Sequence, residues 1–287
     1  MIIRFGFTIL LVVSTFASSA QAQMIDSLIM MDQAAKTARS MWGAGPKGHR
    51  IALVIGNSRY ATVGTLANPR NDATAIAAAF RKAEFAEVIE AHDATAAEMT
   101  ALLAMFKRKA AEADWAVVYF AGHGMEMNGS NYLIAADATM TSEQELQQSS
   151  VTLTNVIESI QGTRKLGLVI LDACRNNPFI KALQEGRAAS RSQAGGSNPA
   201  PISPGLGAVV PPTGVMVAYA SKHGTVASDG EGQHSPYTAA LLEKLTQPRL
   251  ELNDIFRRVR DQVFAASGGQ QQPYTYDSLP AGRFYFN

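Results

Sequence analysis

The sequence predicts an α/β protein: a mainly parallel central sheet of about six strands with helices covering both faces. Three observations lead there. Short runs that are apolar throughout recur along the chain, which suits strands buried on both sides. Segments with apolar residues at helical spacing alternate with those runs, as parallel crossovers require. Helix caps and breakers fall between the two kinds of segment, at Thr95, Gly162 and Ser235-Pro236.

Ile51 to Ile55 is continuously apolar, stops at Gly56-Asn57 and reads as the first buried strand. After a loop through Asn68-Pro69, the stretch from Asp72 places Ile76, Ala79, Phe80 and Ala83 on one helical face. Ala86 to Glu90 is a short strand. Thr95 with Glu98 forms a capping box ahead of Met99, Leu102, Leu103 and Phe106, a second amphipathic helix. Trp115 to Ala121 is the third strand, and Asn128-Gly129 between short alternating runs marks a hairpin over Met125 to Ile134. Leu153, Val156, Ile157 and Ile160 give a helix stopping near Gly162. Leu166 to Leu171 then leads directly into Asp172-Ala173-Cys174.

From residue 183 to 213 the composition turns to Gly, Ser, Ala and Pro, with Arg187 and Arg191 as its basic residues, and reads as a linker. Val215 to Ala220 is a fifth strand. Ser235-Pro236 opens a helix with proline in its first turn, and Leu252, Ile255, Phe256, Val259 and Val263 mark the last helix. Phe284 to Phe286 is expected to close the sheet.

The 287 residues are 47% hydrophobic and 17% charged, an ordinary globular composition. With 25 basic and 24 acidic side chains the net charge is +1, so no overall field would gather nucleic acid or anionic lipid. At the N-terminus, Arg4 precedes an apolar run from Phe5 to Ala17 and the small-residue sequence Ala20-Gln21-Ala22, the layout of a secretory signal peptide over 1–22. The run is shorter than the roughly 20 residues of a spanning helix, so export without a retained membrane anchor is expected. Residues 23–47 read as an N-terminal extension. The single cysteine, Cys174, can form no intrachain disulfide.

A lone thiol is often only a small buried hydrophobe, and a lone histidine only structural. Here each stands at a strand end: His123 in Gly122-His123-Gly124 after Ala116 to Ala121, and Cys174 after Leu168 to Ala173. In a parallel sheet both emerge on the same rim, where sites form. An imidazole beside a thiol can take its proton and make a nucleophile. Gly124, lacking Cβ, lets its N–H approach a substrate carbonyl, and with the N–H of Cys174 would form an oxyanion hole. His92, His223 and His234 compete for the base, but His92 precedes a helix cap, His223 follows a strand with no nucleophile and His234 sits near a helix start.

Four ordered motifs carry a resemblance: R-I-A-L-V-I-G-N-S-R-Y from Arg50, L-A-N-P-R-N-D-A from Leu66, Y-F-A-G-H-G from Tyr119 and L-D-A-C-R-N-N-P-F from Leu171. Together they resemble the bacterial caspase-like peptidases, relatives of the metacaspases, over about Arg50 to Asn287. The resemblance implies the caspase-hemoglobinase fold, an α/β/α sandwich in which residues 48–182 supply the large-subunit region and 214–287 the small-subunit region. It implies a cysteine endopeptidase acting on polypeptides, with His123 as general base and Cys174 as nucleophile. Acidic residues matched by Asp72 and Asp172 would line a pocket selecting arginine or lysine. Two carboxylates in a desolvated pocket suit a guanidinium. Alternatively Asp72 is a helix N-terminal acid and Asp172 braces the Cys174 loop; Asp229 borders the same cleft.

Arg175 and Ala121 depart from the metacaspase pattern, where histidine and a small hydroxyl residue are common. No converging acidic cluster suggests calcium, so neither a metal nor another cofactor is expected. The linker offers Arg187 and Arg191 as self-cleavage sites, the alternative being an uncut loop. A catalytically silent caspase-like scaffold is the competing functional reading.

Overall fold

The computed structural model describes residues 48–139, 142–174, 179–181, 183–185, 202–222, 227–230 and 232–287, with Cys174, Ser203 and Pro204 described by their backbone alone. Gly48–Asn287 is one folding unit, to which the description below refers. Its sheet is built from β1 (Arg50–Gly56), β2 (Glu87–His92), β3 (Trp115–Met127), β6 (Leu166–Cys174), β8 (Val215–Tyr219) and β9 (Tyr274–Asp277), in the order β2-β1-β3-β6-β8-β9. Every pairing is parallel except β8 with β9 at the edge. The mainly parallel sheet expected from the apolar runs is therefore present.

Alternation along the strands divides the core. Val54, Val117, Tyr119, Leu168, Ile170 and Met216 pack on one face against α1 (Pro69–Lys82), α5 (Pro236–Leu245) and α6 (Leu252–Ala266). Ile51, Leu53, Val118, Val169 and Val217 pack on the other against α2 (Ala96–Ala110) and α4 (Leu153–Glu158). Period-two side chains with helices on both sides make the three-layer α/β/α arrangement. Thr95 and Glu98 form the expected capping box on α2, and Ser235 caps α5 with Pro236 at its start. Among the described residues no helix is long and apolar enough to cross a membrane.

Past the expected strand end at Ala121, β3 continues to Met127 and, across the Asn128-Gly129 turn, pairs with β4 (Ser130–Ile134), which pairs in turn with β5 (Ser150–Thr152). A short α3 (Glu143–Gln148) precedes β5. Within the stretch read as linker, β7 (Ile202–Pro204) pairs antiparallel with Glu126 and Met127 of β3, and Leu206 is buried. Asn131 then grips the backbone of Gly207 with both ends of its amide.

Phe284–Phe286 is not the closing strand. Tyr274–Asp277 takes that place, while Phe286 stacks with Phe80 and Phe85 and meets Trp115 edge-on. The reason is Arg50, fully buried at the start of β1. Its guanidinium donates to the carbonyls of Phe286, at 2.9 Å, and Ala83, and lies over the rings of Phe85 and Trp115. Burial works against this charge, and carbonyl acceptors, aromatic faces and the field of the Glu84 carboxylate offset it.

Candidate active site

The β3–β6 register sets Ala121 opposite Asp172, Gly122 opposite Ala173 and His123 opposite Cys174. Neighbouring strands lie about 4.8 Å apart, so histidine and cysteine occupy adjacent backbone positions, Cys174 at the carboxyl end of β6 and His123 where the parallel pairing of β3 with β6 stops, four residues before β3 itself ends at Met127. His123 is 2% exposed. Its backbone N–H donates to Tyr60 Oη at 2.7 Å, and its ring sits 4.6 Å from the Tyr60 ring and 5.9 Å, edge-on, from Phe179. Burial among these rings pulls the imidazole down to about 4, so it is neutral at physiological pH. Neither ring nitrogen has a hydrogen-bond partner among the described residues.

Both glycines of the Gly-His-Gly sequence answer to close approach. A Cβ on Gly122 would stand 2.6 Å from Tyr60 Oη, in the way of the bond that holds His123. One on Gly124 would meet Ala173 Cβ and Leu206 Cδ2 at 3.0 Å. Gly124 itself is opposite Leu133 in the β3–β4 pair.

Beside this rim lies a buried acidic pair. Asp72, in the first turn of α1, is 1% exposed, and Asp172, on β6, is 3% exposed. Asp172 Oδ2 accepts from Ser235 Oγ at 2.5 Å and Thr238 Oγ1 at 2.7 Å, and Tyr119 Oη lies 2.6 Å from Thr238 Oγ1. Asp172 Oδ1 is buried with no partner among the described residues. Asp72 Oδ2 accepts from the Ser235 N–H at 3.3 Å, and Oδ1 lies 2.8 Å from His234 Nδ1. Burial, reinforced by the neighbouring Asp172, pushes the Asp72 carboxyl up to about 8. Burial likewise lifts Asp172 to about 6, against the hydroxyl donors that favour its ionised form.

Asp229 takes a supporting place. Its Oδ2 accepts from the Ala67 N–H at 2.9 Å and its carbonyl from Asn68 Nδ2, so it ties the loop ahead of α5 to the start of α1. Burial raises its carboxyl above the usual range. His92 ends β2, and its Nε2 lies 3.0 Å from Glu90 Oε1 and 3.5 Å from Thr74 Oγ1 of α1. His223, Arg175, Arg187 and Arg191 lie outside the described residues.

Sequence reasoning assigned no role to Tyr60, Ser235, Thr238 or the His234–Asp72 contact. Tyr60 stands inside the first motif and Ser235 at a recognisable cap, but their partners lie 63 residues away in each case.

A mainly parallel α/β/α sheet with His123 and Cys174 side by side on its adjacent central strands defines the class of protein. The chain belongs to the caspase domain family: that family, Peptidase_C14, matches residues 49–285. The caspase domain is a cysteine-peptidase domain, and its substrates are polypeptides. Among curated proteins none matches the chain.

Proposed function

We propose that this protein is a cysteine endopeptidase that cleaves after arginine or lysine, with Cys174 as nucleophile and His123 as general base. The observation that carries the reading is the register of His123 against Cys174, the last pair of the β3–β6 ladder. A neutral imidazole can accept the thiol proton; the thiolate then adds to the peptide carbonyl, and the imidazolium returns the proton to the departing amine. Water hydrolyses the resulting thioester with His123 again as base. The N–H groups of Gly124 and Cys174 receive the oxyanion of each tetrahedral intermediate.

Selectivity for a basic side chain rests on Asp72 and Asp172. A cation entering between them relieves two buried carboxyls that burial disfavours as anions, and Asp172 Oδ1, without a partner among the described residues, is an acceptor suited to a guanidinium or ammonium. Calcium and other cofactors play no part in this reading. Export through residues 1–22 and cleavage of the 183–213 linker at Arg187 or Arg191 complete it, the second by the protein's own specificity.

The test is hydrolysis of peptides bearing arginine, lysine or aspartate before the scissile bond, beside a Cys174→Ala control. Turnover of the basic peptides by the parent protein and none by the control is expected. Equal activity in the control refutes the nucleophile, and preference for aspartate refutes the pocket while leaving the dyad standing.

A further inference from the structure

We infer that His234 is a specificity-determining residue of the acidic pocket, acting through Asp72: it takes the proton from the buried Asp72 carboxyl when a basic side chain enters. This rests on the reading of Asp72 and Asp172 as the pocket for that side chain. Geometry supports the role. His234 Nδ1 is 2.8 Å from Asp72 Oδ1, and its side chain is 29% exposed where that of Asp72 is 1% exposed, so the imidazole connects a sealed carboxyl to solvent. Among the described residues the other polar contact of the Asp72 carboxylate is the Ser235 N–H, which donates and cannot accept a proton.

A protonated Asp72 presents no charge to a guanidinium. As the cation approaches, the Asp72 O–H bond breaks, an N–H bond forms at His234 Nδ1, and the imidazole passes a proton to water. Asp72 is left as a carboxylate, with the His234 N–H and the Ser235 N–H as donors. The groups facing this exchange are Asp172 on β6, Tyr119 on β3, Asp229 in the loop before α5 and Tyr237 on α5. Asp172 and Asp229 are acids whose charge opposes ionisation of Asp72, and both phenols are held neutral by burial. None of them offers Asp72 a basic nitrogen.

The experiment compares His234→Ala and His234→Gln with the parent protein on an arginine peptide and on its citrulline analogue, from pH 6 to pH 9. Losing a hydrogen-bond partner of the ionised Asp72 carboxylate lowers kcat/KM of His234→Ala for arginine roughly tenfold at pH 7, carried by KM. The deficit closes towards pH 9, citrulline turnover is unchanged relative to the parent, and His234→Gln, which keeps a hydrogen bond to Asp72, recovers part of the loss. If KM in both variants tracks the parent protein across the range, the role of His234 is refuted. If the parent protein shows no preference for arginine over citrulline, the pocket reading itself fails, a result distinct from the first.

Discussion

Replacing Asp72 with asparagine is expected to stabilise the fold while disabling the pocket. In an unfolded chain this carboxyl ionises near its ordinary value of 3.8, whereas in the folded protein it keeps its proton up to about 8. Across that window the folded state holds more protons than the unfolded state, so stability falls as pH rises from about 4 to about 8. At about 1.4 kcal/mol per unit, the ceiling on the loss at pH 7.5 is roughly 5 kcal/mol. Asparagine never ionises, keeps an acceptor for the Ser235 N–H and can donate its amide to His234 Nδ1. If about 2 kcal/mol of the ceiling is realised, Tm rises by roughly 4–8 °C for a domain of this size. Thermal unfolding of Asp72→Asn and the parent protein at pH 4.5 and pH 7.5 checks this: the two should melt together at the lower pH and separate at the higher. In parallel, kcat/KM for an arginine peptide should fall by about 100-fold, because one partner of a buried charge pair is gone. A melting difference that is the same at both pH values would refute the reasoning, since it would mean that the Asp72 proton is not what distinguishes the two proteins.

His123→Asn should lower kcat/KM by about 10²–10⁴-fold on any peptide substrate, and on a citrulline peptide, which does not call on Asp72, the parent protein should lose activity only as pH approaches about 4, where His123 protonates. Tyr60→Phe removes the acceptor for the His123 N–H, leaving a buried amide unpaired; chemical denaturation should register a loss of about 1–3 kcal/mol, with reduced turnover as the imidazole loosens. Arg50→Ala strips donors from the carbonyls of Ala83 and Phe286 and empties space beneath Phe85 and Trp115, for a loss of about 3 kcal/mol or more by the same measurement.

Strands buried on both faces were legible because their apolar runs leave no other place for them: β1, β3, β6 and β8 all coincide with such runs. The capping box at Thr95 and Glu98 was legible because both partners lie within one helical turn. Phe284–Phe286 misled for the opposite reason. Alternating aromatic residues suit a strand, but these rings pack beneath a buried arginine from the far end of the domain. Strand β7 was hidden in a Pro- and Gly-rich stretch because its pairing comes from β3, not from its own pattern. The site divides in the same way. His123 and Cys174 could be paired from sequence because each follows a recognisable apolar run, and a parallel sheet brings such positions to one rim, although β3 itself runs on to Met127. Tyr60, Ser235 and His234 could not, since nothing local records what stands beside them.

By itself, the sequence determined the strand and helix order, the reactive residue types at two strand ends and a family resemblance carried by four motifs. Tertiary structure alone decided that His123 is neutral and clasped by aromatic rings, that Asp72 and Asp172 are both buried around Ser235, and that the partly exposed His234 reaches Asp72. Periodicity and capping act within one or two helical turns, so the chain records them. Desolvation and hydrogen bonding between residues as far apart as Asp72 and His234, separated by 162 positions, depend on distances that exist only once the sheet and its helices have closed around them.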